Sequence, residues 1–408
     1  MKLQIANPTT LRDGDSEEAR GLKDMSREQL LQEARELKEK ISSIQEKEAA
    51  LTTEIDTLAA AIPNLTSEQT PRGNEPKLLS YINEHPEPDP ASSDRVWRSH
   101  VHIGSELQLL DFASAATTTG WGWYDLLNEA VWLEQALIKY ALLTAEKAGW
   151  SVVAPSCMVY SHIASACGFQ PRDQNGEQQV YNIQQNARDA GVKPELSLAG
   201  TAEIPLAGRK ANTVMEEEEL PLKRAGVSRC FRAEAGARGV DTKGLYRVHE
   251  FNKVELFAWT LPSTSASLEV FDEMLALQTT ILSSLGLHCR VLEMPTTDLG
   301  ASAMRKIDIE AFFPSRREKD EGWGEVTSLS MCSDYQSRRL ATRVNVKTSG
   351  GKIAFPYTVN GTALAVPRVL AAILENGWDE SRGEVRIPEC LWPYMDGVKV
   401  IAPKKRSQ

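Results

Sequence analysis

Residues 230–257, CFRAEAGARGVDTKGLYRVHEFNKVELF, constrain the fold more than any other stretch of the chain. SRCFRAEAG and LYRVHEFNKVELFAW read as two strands around a polar loop of Gly, Arg, Asp and Lys, and so as an antiparallel pair. Arg232 and Glu234 stand at i, i+2 on the first strand, a spacing that directs both to one face. Arg247 and Glu255 fall on the returning strand, with Phe251 between them. A strand face with two Arg, two Glu and an aromatic is costly to bury without a polyanionic or zwitterionic ligand. A salt-bridged surface hairpin is the competing reading.

Around this pair the C-terminal 300 residues alternate helix-like and strand-like pieces. AVWLEQALIKYALLTAEKAG (130–149) has a helical period and a glycine stop, and WSVVAP (150–155) follows as a short strand halted by Pro155. SASLEVFDEMLALQTTILSSLG (265–286) reads as a helix, LHCRVLEM (287–294) as a strand, and TALAVPRVLAAILENG as a helix opening after Asn360-Gly361. Strands joined by hairpins, with helices on one side, predict an α+β fold built on an antiparallel sheet of six or more strands. No GxGxxG or GxxxxGK[ST] follows a strand, so Rossmann and P-loop nucleotide binding are unsupported.

Upstream, residues 26–64 carry apolar positions at Leu30, Ala34, Leu37, Ile41, Ile44, Leu51, Ile55, Leu58 and Ile62, interrupted once by Glu48. This four–three alternation is a coiled-coil seam on one helix of roughly 55 Å, opened by a Ser26/Gln29 capping box and closed before Pro63. No second heptad run exists to fold back on it. Residues 65–99 are rich in Pro, Glu, Asn and Ser and read as a linker. The expected division is therefore a helical arm over 1–66, a linker over 67–99 and a catalytic domain over 100–408.

The formal net charge of −10 argues against coating nucleic acid by bulk charge, though not against a local basic docking surface. Six scattered cysteines form no CxxC pair, which fits a reducing compartment. No apolar run reaches the length of a spanning helix, so no membrane partner is expected. The first residues lack an apolar h-region and carry Asp13, Asp15, Glu17 and Glu18, unlike a presequence. The lone histidines show no metal spacing, His249 reads as structural support, and Glu216 to Glu219 read as a solvated loop.

FRAEAGARGVDTKGLYRVHEFNKVE closely resembles motif 2 of the seryl-tRNA synthetases, which are class II aminoacyl-tRNA synthetases. GTAEIPLAG (200–208) resembles that family's T-A-E serine-pocket segment, and EVTSLSMCSDYQSRR (325–339) its E-V-x-S-x-S-x-C-x-D-x-Q-x-R-R stretch. NGTALAVPRVLAAILEN (360–376) resembles motif 3, IPECLWPYM (387–395) the usual ending, and helix 130–149 with Pro155 the dimer-forming motif 1. The resemblance runs from about residue 95 to 402.

It implies a serine–tRNA ligase that joins L-serine and ATP as seryl-adenylate, then passes serine to the 3′ end of serine tRNA, as a homodimer using Mg²⁺. By similarity Arg232 holds the α-phosphate and the carboxylate, Glu234 accepts from the adenine amino group and Phe251 stacks under adenine. Arg247 and Arg368 clamp the triphosphate, and Glu325 with Ser328 binds magnesium. Thr201, Glu255, Asn360 and Thr362 match the residues around the amino acid. Such a polar pocket rejects alanine, whose missing hydroxyl leaves buried groups unpaired.

Three departures within the motifs are Glu250 for the usual Gln, Met331 for Asn, and Pro367 in AVPR. The larger one concerns the arm: the family carries two long antiparallel helices, whereas one is legible here and residues 1–25 are polar. A weakened grip on tRNA is the expectation from this. It leaves open a paralogue that supplies activated serine to a biosynthetic or other acceptor, and a non-catalytic dimeric binding protein. The expected compartment is the cytoplasm or the mitochondrion.

Overall fold

The computed structural model describes residues 25–85, 98–170, 178–234, 244–318 and 320–403. The chain divides into two units, Met1–Ile62 and Pro63–Gln408. In the first, helix α1 (Arg27–Ala61) opens on the expected capping box: the Ser26 hydroxyl accepts from Gln29 N, and Ser26 N donates to the Gln29 side chain. Leu30 is buried, whereas Leu37, Ile41, Ile44, Leu51, Ile55, Leu58 and Ile62 are 41–64% exposed. The packing of α1 on residues 1–24 lies outside the described residues.

The second unit is built on an eight-stranded sheet in the order β1-β5-β6-β7-β8-β4-β3-β2. These strands are β1 (Lys77–Ile82), β2 (Ser151–Val153), β3 (Leu222–Phe231), β4 (Glu250–Thr260), β5 (Cys289–Glu293), β6 (Arg305–Phe312), β7 (Trp323–Ser333) and β8 (Tyr357–Ala365). Every neighbouring pair is antiparallel except β2 with β3. The fold is α+β, as the hairpin pattern predicts. No helix among the described residues is long and apolar enough to cross a membrane.

Strand β4 shows how the sheet places a polar site beside two cores. Val254, Leu256 and Ala258 enter the large core with helices α2 (Glu129–Lys147), α3 (Thr264–Ser284) and α4 (Val366–Gly377). Phe257 and Trp259 enter a smaller core on the other face, with the short helices Ser161–Ala166 and Glu203–Gly208. The period-two alternation therefore puts Phe251, Lys253 and Glu255 on the face of the smaller core, before its apolar packing begins. Helix α3 buries Val270, Phe271, Met274, Leu277 and Ile281, and each such side chain contributes about 1.5–3 kcal/mol on leaving water.

Several expectations change. Asn360-Gly361 is not a turn before a helix: both residues lie inside β8, and α4 begins only at Val366. Gly361 is needed for close approach, since a Cβ there would sit 2.8 Å from Met274 Sδ and 2.9 Å from the Ser328 carbonyl. Pro367 falls in the first turn of α4, where its missing N–H is harmless. Strand β3 ends at Phe231, so Arg232 and Glu234 follow it in irregular backbone, Glu234 with φ of +47°; Arg247 likewise precedes β4. Lys77–Ile82, inside the segment read as a linker, pairs with β5 as an edge strand.

Leu133, Ala136 and Leu137 of α2 face the chain's own core; the exposed apolar residues of this helix are Val131 and Trp132, 36% and 65% exposed. Glu216 to Glu219 are solvated, as expected, but in place of an irregular loop they end a short strand and form a turn held by Lys210, Lys347 and Thr348. Met331 is buried in the large core, and Glu250 pairs with Arg229 across the β3–β4 ladder.

Candidate active site

A cleft is lined by Arg232, Glu234, Arg247, Phe251, Glu325, Ser328, Thr362 and Arg368, along with Lys253 and Tyr246. Four separate stretches of sequence thus meet: the ends of β3 and β4, strand β7, and the β8–α4 junction. Thr201, Glu255 and Asn360 do not line it. They form a second, buried cluster, joined to the first through the cross-strand pair Thr362–Glu255.

On the open side, the Arg232 guanidinium lies over the Phe251 ring at 5.3 Å, and Arg247 Nη1 donates to Glu234 Oε2 at 3.3 Å. Arg368 donates from Nε to the Tyr246 carbonyl at 3.0 Å and from Nη1 to the Glu325 carbonyl at 2.9 Å; its Nη1 also lies 3.4 Å from Glu325 Oε2. Burial alone would raise the pKa of Glu325. The positive charges of Arg368, Lys306, Arg232 and Lys253 outweigh it, so this carboxyl sits below its ordinary value and stays ionised.

On the buried side, Thr201 Oγ1 donates to Glu255 Oε2 at 2.9 Å, and Lys253 Nζ reaches the same oxygen at 2.7 Å. Asn360 Nδ2 and Gln336 Nε2 both donate to Glu203 Oε1, at 3.0 and 2.6 Å, and Thr358 Oγ1 donates to Gln336 Oε1 at 2.7 Å. Burial, reinforced by the charge of Glu255, pushes Glu203 up to about 8. This cluster is buried and rich in acceptors. It suits a compact zwitterion with an ammonium and a hydroxyl, since each such group needs a partner once desolvated.

Arg232 borders both clusters. Its Nε lies 3.5 Å from the carbonyl of Gly200, at the head of the T-A-E segment, and its backbone N donates to the His249 carbonyl at 2.9 Å. The His249 ring stacks on Trp123 and shares a 2.8 Å hydrogen bond with the Tyr181 hydroxyl, which gives it the supporting place expected. Beneath the floor, Gln278 Nε2 of α3 lies 2.8 Å from the Ser328 carbonyl and 2.9 Å from that of Thr362, tying β7 to β8.

Sequence reasoning missed Glu203, Gln336, Lys253 and Gln278. The first three stand inside the motif segments 200–208, 325–339 and 230–257, but no local pattern marks them, and Glu203 has its partners Gln336 and Asn360 far away in sequence. Gln278 gives no local signal: it reads as one polar position on an amphipathic helix until the sheet is laid against it.

The hard-oxygen pair Glu325 and Ser328 fits a divalent cation of the magnesium type. A third oxygen supports the fit: Asp308, directly opposite Ser328 in the β6–β7 register, is 3% exposed and its Oδ1 has no hydrogen-bond partner.

A family model described as the class II core domain of tRNA synthetases (G, H, P, S and T) matches residues 181–377. The mitochondrial serine–tRNA ligase of Saccharomyces cerevisiae is 42% identical over 367 residues, covering 90% of this chain and 78% of the relative. The serine–tRNA ligase of Rubrobacter xylanophilus is 39% identical over 381 residues, covering 93% and 85%. Among solved structures, seryl-tRNA synthetase from Pyrococcus horikoshii complexed with ATP has a TM-score of 0.79 at 33% identity, covering 92% of this chain and 84% of that one. Cytoplasmic serine–tRNA ligase from Naegleria fowleri in complex with AMP gives 0.78 at 30% identity, covering 90% and 82%. With its antiparallel sheet, its charged cleft beside a buried polar cluster and these relatives, the chain belongs to the seryl-tRNA synthetase family of class II synthetases.

Proposed function

We propose that this chain is a working serine–tRNA ligase that activates L-serine with ATP and charges tRNA. The observation that carries the reading is the shared position of Arg232. One guanidinium lines an open cleft with the charges a triphosphate needs and also reaches the Gly200 carbonyl, at the head of the segment that carries the buried acceptors a small amino acid needs.

In this reading the serine carboxylate and the α-phosphate meet at Arg232, whose planar fork can hold two oxyanions at once. Glu255, with Thr201 and Thr362, receives the hydroxyl and ammonium, while Asn360 and Glu203 close the pocket. Phe251 and Glu234 take the adenine by stacking and by hydrogen bonding. Arg247 and Arg368 draw the triphosphate into a bent path that leaves pyrophosphate in line with the attacking oxygen. Catalysis is then positioning and charge stabilisation, with no covalent step on the protein. Glu325 and Ser328 would hold magnesium, which neutralises phosphate charge when bound. The second half-reaction needs only that a terminal ribose hydroxyl reach the activated carbonyl.

The homodimer is part of the proposal, supported by apolar side chains exposed at Trp132, Val131 and Val152 near motif 1. A mitochondrial compartment is supported by the relatives from S. cerevisiae and Schizosaccharomyces pombe, both mitochondrial enzymes. The complete set of ionic groups argues against a non-catalytic binding protein. Charging of bulk tRNA with labelled serine tests the reading. Accumulation of seryl-tRNA supports it, whereas serine activation without any charging would favour another acceptor.

A further inference from the structure

Tyr246 holds none of the roles assigned above, yet it contacts Arg368 in two ways. Its carbonyl accepts from Arg368 Nε at 3.0 Å, and its ring lies 4.5 Å from the Arg368 guanidinium carbon. A second guanidinium, that of Arg316, stacks over the same ring at 4.0 Å and pairs with Asp320 at 3.0 Å. Phe313 meets the ring edge-on at 5.7 Å. On β7, a Cβ at Gly324 would lie 2.6 Å from Tyr246 Cε2 and 2.9 Å from its hydroxyl, so only glycine lets the ring rest against the strand that carries Glu325.

We propose that Tyr246 is a positioning residue for the triphosphate: it fixes Arg368 in a phosphate-facing rotamer before the nucleotide arrives, with Arg316 as a second cation held over the same ring. This rests on the reading of Arg368 as a triphosphate clamp. A guanidinium has five N–H donors. Here Nε is taken by the Tyr246 carbonyl and Nη1 is turned to Glu325, which leaves Nη2, among the described contacts, as the edge open to an oxyanion. Arginine carries large rotamer freedom, and whatever is frozen beforehand is not lost on binding. Tyr246 also lines the cleft itself, with Arg247 next to it in sequence. Arg316 does not line the cleft and acts through the ring and through its charge.

The consequence is selective. A triphosphate should sense Tyr246, whereas AMP, which lacks the β- and γ-phosphates, should not. The test is calorimetric titration of the full chain with ATP and with AMP, paired with steady-state pyrophosphate exchange. Tyr246→Leu should weaken ATP by about tenfold and leave AMP within about twofold, because only the preorganised clamp is lost. In exchange, the KM for ATP should rise while that for serine holds. Tyr246→Phe keeps the stack and should restore the native values. Arg316→Met should weaken ATP by about threefold and spare AMP, and it carries the test if the Leu variant does not fold.

Equal losses for ATP and AMP in Tyr246→Leu would mean a general structural role and would overturn the inference. Unchanged ATP affinity, or a Phe variant as impaired as the Leu variant, would do the same. A native chain that shows neither ATP binding nor exchange would instead sink the functional reading on which the inference stands.

Discussion

Replacing Arg232 with lysine separates charge from geometry at the point where the cleft and the buried cluster meet. Lysine keeps the cation but loses two things visible in the structure. The first is the contact of the guanidinium with the Phe251 ring at 5.3 Å, worth about 0.5–1 kcal/mol. The second is the fork that can bridge carboxylate and α-phosphate; a charge-assisted hydrogen bond lost there costs about 1.5–3 kcal/mol. Together these give about 2–4 kcal/mol in the transition state, or roughly a 30- to 1,000-fold fall in kcat/KM. The assay is serine-dependent ATP–pyrophosphate exchange, with thermal unfolding as a control for the contacts Arg232 makes with Phe251 and the Gly200 carbonyl. Exchange within about threefold of the native rate, in a normally folded variant, would refute the assigned role.

Three further outcomes are expected. Glu203, lifted from 4.5 to about 8, is neutral in the fold, so its stabilising protonated state is complete below pH 4.5 and is lost as pH rises through 8. The ligand-free chain should therefore lose about 2–3 kcal/mol between pH 6 and 9, and urea titrations should find that slope absent in Glu203→Gln. Gly361→Ala forces a methyl against the Ser328 carbonyl and should cost about 1–3 kcal/mol of stability with a loss of exchange; a variant as stable as the native chain contradicts the close approach. Trp132→Glu should dissociate the dimer in sedimentation, and a stable, fully active native monomer at micromolar concentration would remove the dimer from the account.

The sequence makes the chemistry legible and the path of the backbone less so. Arg232, Glu234, Arg247 and Phe251 could be named because an ionic cluster amid apolar strands has few explanations. The same reading placed Arg232 and Glu234 on a strand that in fact ends one residue earlier, at Phe231. Propensity cannot distinguish a strand from the irregular turn that leaves it. Asn360-Gly361 misled for a related reason: Asn-Gly signals a turn by composition, but the glycine is demanded by Met274 of a helix far away in sequence. Lys77–Ile82 was hidden by its Pro- and Glu-rich flanks, and only pairing with β5 gives it a structure. Glu203 and Gln336 stood in plain view, but their partnership spans more than 130 residues and no local pattern announces it.

Serine-dependent ATP–pyrophosphate exchange, run beside alanine and threonine as competitors, tests the central claim most directly. The account predicts exchange with serine, and alanine reduced by a factor of about 10⁴ or more because a buried polar site arranged to hydrogen-bond a hydroxyl rejects the analogue that lacks it. Exchange that is absent with serine, or equally fast with alanine, would contradict it.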